Sequence, residues 1–121
     1  MADRLGIVLR HGPYGRIHAA EALRHAGGAV AKGWEVTLIL TGDGVYSGLP
    51  HQCSSDGAWT NLAGAMRTLL EKSGSGIRLC VDEQSLAERG LGRADLFGEC
   101  RLVTMDEVAK LMTESRQVLI F

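Results

Sequence analysis

Aromatic residues make up only 5% of the 121-residue chain, and there are two prolines. A surface that stacks nucleic-acid bases needs aromatic side chains. The formal charge of −1 also lacks the electrostatic footprint that attracts a phosphate backbone. No apolar run approaches the roughly 20 residues of a membrane span. Met1-Ala2-Asp3-Arg4 is not followed by the long apolar stretch of a signal peptide. The three cysteines, Cys53, Cys80 and Cys100, are an odd number, which argues against a disulfide framework and fits a reducing compartment. No C-x-x-C occurs, which argues against a thioredoxin-like redox pair or a zinc knuckle. The dinucleotide pattern G-x-G-x-x-G and the Walker pattern are both missing. What remains is the expectation of a soluble, cytoplasmic, globular chain. Residues 1–121 are expected to form one domain with one core.

What is present is an alternation of strand and helix signals. Leu5-Gly6-Ile7-Val8-Leu9, Glu35-Val36-Thr37-Leu38-Ile39-Leu40 and Ile77-Arg78-Leu79-Cys80-Val81 are short apolar runs, too short for helices and suited to strands buried on both faces. Arg101-Leu102-Val103 reads as a fourth strand, and Gln117-Val118-Leu119-Ile120-Phe121 as a fifth. Between the first two strands, residues 16–32 have an alanine-rich helix composition. Gly27-Gly28 weakens that helix, which suggests close packing against the sheet. Trp59, Leu62, Ala63, Met66, Leu69 and Leu70 recur at helical spacing. Asp82 is placed to cap a short helix closed by Gly90. Thr104 and Glu107 have the spacing of a capping box. Four β-α units followed by a last strand predict an α/β fold: a parallel five-stranded sheet with helices on both faces.

Such sheets hold ligands beyond the carboxyl ends of their strands, which directs attention to residues 11–15, 41–57, 81–85 and the segment around Thr104. Gly12-Pro13-Tyr14-Gly15 precedes a helix whose N-terminal N–H groups can hold an anion; a plain strand-to-helix turn explains the same residues. His18 and His25 share a helix face with Glu21 between them, but they are too far apart for the convergence a metal requires. His11 and His51 lie on strand-end loops and are candidates for polarising a thiol or binding an anion. Cys53 lies in the long second loop. Cys80 precedes a helix N-terminus, which lowers a thiol pKa, whereas Asp82 and Glu83 act in the opposite direction. Free cysteine is also among the most buried residue types, and this applies to Cys100 most of all.

Four segments, in order, resemble one family. They are Gly12-Pro13-Tyr14-Gly15 with Ala20-Glu21-Ala22-Leu23 after it; Asp43-Gly44-Val45 continued by Leu49, Pro50 and Gln52; Ser85-Leu86-Ala87-Glu88-Arg89-Gly90-Leu91; and Val118-Leu119-Ile120-Phe121. Together they are similar to the DsrE/DsrF-like proteins. The third is similar to the Ser-Leu-x-x-Arg-Gly-Leu stretch of the DsrF and TusC subunits. The resemblance implies a three-layer α/β domain in cytoplasmic sulfur relay, as a persulfide-transferring sulfurtransferase or as an accessory subunit. It implies assembly as a trimer or hexamer, alone or with related chains, and sulfur donor and acceptor proteins as partners. No cofactor, metal, membrane or direct nucleic-acid contact is expected.

In catalytic members one cysteine follows the third strand, about eight residues before the glycine of the Arg-Gly pair, where a helix N-terminus can favour the thiolate. Counting back from Gly90 reaches Asp82, and Cys80 lies two residues earlier. With no gap, Asp82 stands in the carrier position and Cys80 is a packing residue. With a two-residue insertion, Cys80 is the carrier. Both remain open at this point. The resemblance makes Cys80 the leading thiol and Cys53 a secondary one. His11, Gly12, Tyr14, Gly15, Asp43 and Asp82 are then candidates for binding or for the thiol's surroundings, with Arg10 or His11 favouring the thiolate and the glycines admitting a close backbone. The rival readings are a non-catalytic interaction subunit and a small-molecule or nucleotide-binding module built on residues 12–15 and 42–44.

Overall fold

Every apolar run becomes a strand. The structure, a computed structural model, describes residues 3–52 and 61–121. Its strands are β1 (Arg4–Leu9), β2 (Glu35–Leu40), β3 (Ile77–Asp82), β4 (Arg101–Val103) and β5 (Gln117–Ile120). They form one parallel sheet in the order β4-β3-β2-β1-β5. The helices are α1 (His18–Ala31), α2 (Leu62–Ser73), α3 (Glu83–Glu88) and α4 (Met105–Thr113).

Strand periodicity sorts the core into two layers, because alternate side chains point to opposite faces. Leu5, Ile7, Leu9, Val36, Leu38, Leu40, Leu79 and Val81 pack with α1, α2 and Leu86 of α3. Val8, Ile39, Cys80 and Val103 point the other way and pack under Val108 and Leu111 of α4. Helices therefore cover both faces, which is why the central strands read as unbroken apolar runs.

The capping signals act as the sequence suggests. The Glu107 N–H donates to Thr104 Oγ1 at 3.2 Å, and the Thr104 N–H donates to Glu107 Oε1 at 3.3 Å, closing a reciprocal box at the start of α4. Asp82 accepts from the Gln84 N–H at 3.3 Å and begins α3. Asn61 caps α2 by accepting from the Gly64 N–H at 3.0 Å; Trp59 lies outside the described residues.

Four expectations are corrected. Helix α1 begins at His18 rather than near Arg16, because Gly15 takes φ +87° and turns the chain away from helical geometry. The Gly27-Gly28 pair does not pack against the sheet: a Cβ at Gly27 would meet Leu69 of α2 at 3.9 Å, and one at Gly28 would meet open space. The stretch after β2 is not all loop, since Gly42–Gly48 forms a 3-10 helix. A Cβ at Gly44 in that segment would lie 2.0 Å from the Leu9 carbonyl oxygen. Glycine is required there because the segment rests directly on the end of β1. The close backbone approach expected at Gly12 and Gly15 is thus found at Gly44; a Cβ at Gly12 would come no nearer than 4.0 Å to the Asp43 carbonyl oxygen, and one at Gly15 would touch nothing.

Candidate functional site

The chain winds outward from β1 to β4 and then returns through α4 over the opposite face to β5. β1 and β5 are hydrogen-bonded neighbours at the point where the winding reverses. Open α/β sheets hold ligands at such a switch point, outside the carboxyl ends of the strands.

A cavity of about 470 Å³ occupies that place. The structure brings five of the singled-out residues to its wall: His11, Gly12, Tyr14, Gly15 and Asp43. Arg16 and Tyr46 also line it and escaped the sequence reading. Asp43 does not stand alone, because Arg89 donates to its Oδ1 from Nε at 3.1 Å and from Nη2 at 2.9 Å. Asp82 and His51 are not part of the wall, and His51 is exposed.

The His11 ring stacks on the His18 ring, with centroids 3.9 Å apart and planes 18° apart. His18 is therefore turned toward the β1 loop, whereas His25 makes a 2.7 Å contact from its Nδ1 to the Glu21 carbonyl. Partial burial, then the positive charge that His11 and Arg16 can bring, hold the His18 pKa below the ordinary imidazole value. The Nδ1 atoms of both stacked rings and the hydroxyl of Tyr14 are shielded from solvent and meet no hydrogen-bond partner among the described residues.

Asp82 has a structural task. It is 4% exposed, and Ser85, equally buried, donates its hydroxyl to Asp82 Oδ2 at 2.5 Å. The same Ser85 oxygen accepts from the Gly42 N–H at 2.9 Å. Arg89 Nη1 donates to the Ser85 carbonyl at 3.0 Å. Thus Asp82, Ser85 and Arg89 tie the start of α3 to the segment after β2. Ser-Leu-x-x-Arg-Gly is the sequence trace of this tie, with Gly90 at φ +69° ending the helix.

Cys80 has no exposed surface. Its side chain lies on the α4 side of the sheet, among Val8, Ile39, Val103, Val108 and Leu111. Burial pushes its thiol pKa up, only partly offset by Arg101 and then Arg78, with Glu107 adding to the rise. The cations acting on this sulfur are therefore Arg101 and Arg78, not Arg10 or His11. Cys80 is in register with Ile39, which is in register with Val8; His11 lies three residues further on, about 10 Å along the strand direction. Cys100 is 4% exposed in the opposite layer, and burial pushes its pKa to about 12. Cys53 lies outside the described residues.

A wider groove of about 1030 Å³ runs between α1 and α2. Leu23, Val30, Ala65 and Leu69 make it largely apolar. Among the described residues no three His, Cys, Asp or Glu side chains converge as a metal site would require, and no helix is long and apolar enough to cross a membrane.

A parallel five-stranded α/β domain with a cavity at the end of β1 is the frame on which the comparisons fall. Residues 3–121 match the model of the DsrE/DsrF-like family, and the chain belongs to that family. It is 30% identical over 115 residues to the uncharacterized protein MJ0989 of Methanocaldococcus jannaschii, covering 95% of this chain and 96% of that one. It is 29% identical over 119 residues to the uncharacterized protein MK0008 of Methanopyrus kandleri, covering 98% and 94%. Among solved structures, the ychN protein from E. coli superposes with a TM-score of 0.85 at 22% identity, covering 98% of this chain and 99% of that one. MTH1491 of Methanobacterium thermoautotrophicum, described as of unknown function, superposes with a TM-score of 0.76 at 15% identity, covering 98% and 99%. At these identities the two structures bear on the fold alone.

Proposed function

We propose that this protein serves a cytoplasmic sulfur-relay system as an oligomeric accessory subunit, and that neither Cys80 nor Cys100 carries persulfide sulfur. Family membership supports the sulfur-relay setting. The observation that carries the rest is the complete burial of Cys80 beneath α4. Persulfide relay requires a thiolate that attacks a donor sulfur and is then attacked by an acceptor thiol, so rate follows thiolate fraction and access. Cys80 has neither. With no gap before Gly90, Asp82 occupies the carrier position, and there it caps a helix and holds Ser85 instead of presenting sulfur. The partners in this reading are copies of this chain or related chains, which bring the sulfur donors and acceptors together.

The test is sulfur loading. The protein and its Cys80→Ser and Cys100→Ser variants are incubated with a persulfide donor, and the intact mass is read for the gain of one sulfur atom. The reading predicts that both variants behave as the parent does. Loss of sulfur uptake in Cys80→Ser alone, with the fold intact, would overturn it in favour of a catalytic carrier.

A further inference from the structure

The cavity at the end of β1 has an electrostatic character that the thiol question does not use. Its wall carries the guanidinium of Arg16 beside the imidazole ring of His11. Among the described residues the one carboxylate on that wall is Asp43, and it is already engaged by Arg89. The balance of charge facing the cavity among the described residues is therefore positive. Its volume of about 470 Å³ falls in the range of small-molecule sites.

Two residues of this wall also carry polar atoms that lack a partner among the described residues. Tyr14 Oη and His11 Nδ1 are shielded from solvent and have no partner among the described residues. Leaving such a group unpaired costs about 1–3 kcal/mol, so native proteins rarely do so without a reason. The stack on His18 holds the His11 ring in a fixed orientation at the cavity wall. Gly12 and Gly15 leave room beside it: a Cβ at Gly15 would touch nothing.

From these observations we infer that the cavity bounded by His11, Tyr14, Arg16 and Tyr46 is a binding site for a small tetrahedral oxyanion. Arg16 supplies charge and a planar fork of donors, the geometry that suits phosphate-like oxygens. Tyr14, Tyr46 and His11 are the other polar side chains of the described wall besides Asp43. This inference does not rest on the accessory role proposed above, since neither Cys80 nor Cys100 lines the cavity.

The experiment is an NMR titration of backbone amides with sodium phosphate, sodium sulfate and sodium thiosulfate, at an ionic strength held constant with chloride. A further arm uses adenosine 5′-monophosphate, which separates a free ion from an oxyanion carried on a larger molecule. The inference predicts saturable shifts confined to residues 11–18 and 42–48. Arg16→Ala and Tyr14→Phe are predicted to weaken binding, the former by about tenfold, as expected for losing a charge-assisted hydrogen bond. Lys110→Ala, an exposed site on α4, is predicted to leave the affinity unchanged. Non-saturating shifts, shifts centred elsewhere, or an affinity indifferent to both cavity variants would overturn it. Saturation by the nucleotide with none by the free ions would replace the free-ion form with a carried oxyanion in the same cavity.

Discussion

Arg89 holds Asp43 across 46 residues of chain, with both Nε and Nη2 donating to one carboxylate oxygen at 3.1 and 2.9 Å. The same guanidinium binds the Ser85 carbonyl, so one side chain joins α3 to the segment after β2. The ion pair is partly exposed and is worth little by itself. The hydrogen bond to Ser85 adds to it. Arg89→Ala is predicted to cost about 1–2 kcal/mol in urea unfolding and to speed amide exchange across residues 42–48. Unchanged exchange there would mean that Arg89 does not hold this segment.

Ser85 sits deeper and matters more. Its hydroxyl donates to Asp82 and accepts from Gly42. Ser85→Ala strands a buried carboxylate oxygen and a backbone N–H together, for a predicted loss of about 1–3 kcal/mol. Ser85→Thr keeps the hydroxyl and is predicted to recover most of that loss. Equal stability of the alanine variant and the parent would contradict the tie.

Two glycines give opposite predictions. At Gly28 a Cβ meets open space on an exposed helix face, so Gly28→Ala is predicted to stabilise the protein by about 0.5–1 kcal/mol through helix propensity. At Gly44 a Cβ falls onto the Leu9 carbonyl, so Gly44→Ala is predicted to cost about 3 kcal/mol or more. Thermal unfolding of the two variants beside the parent checks both.

Local rules made much of the fold legible. The β-branched runs, the Thr104–Glu107 box and the Asp82 cap depend on neighbours in sequence, and each appears where the residues suggest. The Gly12 to Gly15 turn and Asp43 stand out in the sequence because strand ends carry function, and the sheet brings them to one cavity. The His11–His18 stack was not legible. Seven residues separate the two rings, and their meeting depends on the turn at Gly15 delaying the start of α1. Arg16 and Tyr46 were missed for the same reason, as their convergence is set by how the 3-10 segment lands on β1. The depth of Cys80 follows from strand parity together with the placement of α4, and parity alone does not tell which face is sealed.

Protonation of His18 gives a pH prediction. Partial burial first, then His11 and Arg16, hold its pKa below the ordinary value, so the folded protein favours the neutral ring. As pH falls through about 6.5, the unfolded chain takes up a proton before the folded one does. Stability is then predicted to be complete above that pH and to decline as pH falls below it. His18→Phe keeps a ring for stacking and removes the titration. Its urea midpoint is predicted to fall less than the parent's on acidification, and parallel declines would contradict the assignment.

The most direct measurement is the reactivity of thiols in the native Cys53→Ser variant, where Cys80 and Cys100 remain. Ellman's reagent is predicted to find no reactive thiol in the folded protein and both buried cysteines after unfolding in guanidinium. Rapid labelling of one thiol in the folded variant, abolished by adding Cys80→Ser, would show that solvent reaches this sulfur and would contradict the account.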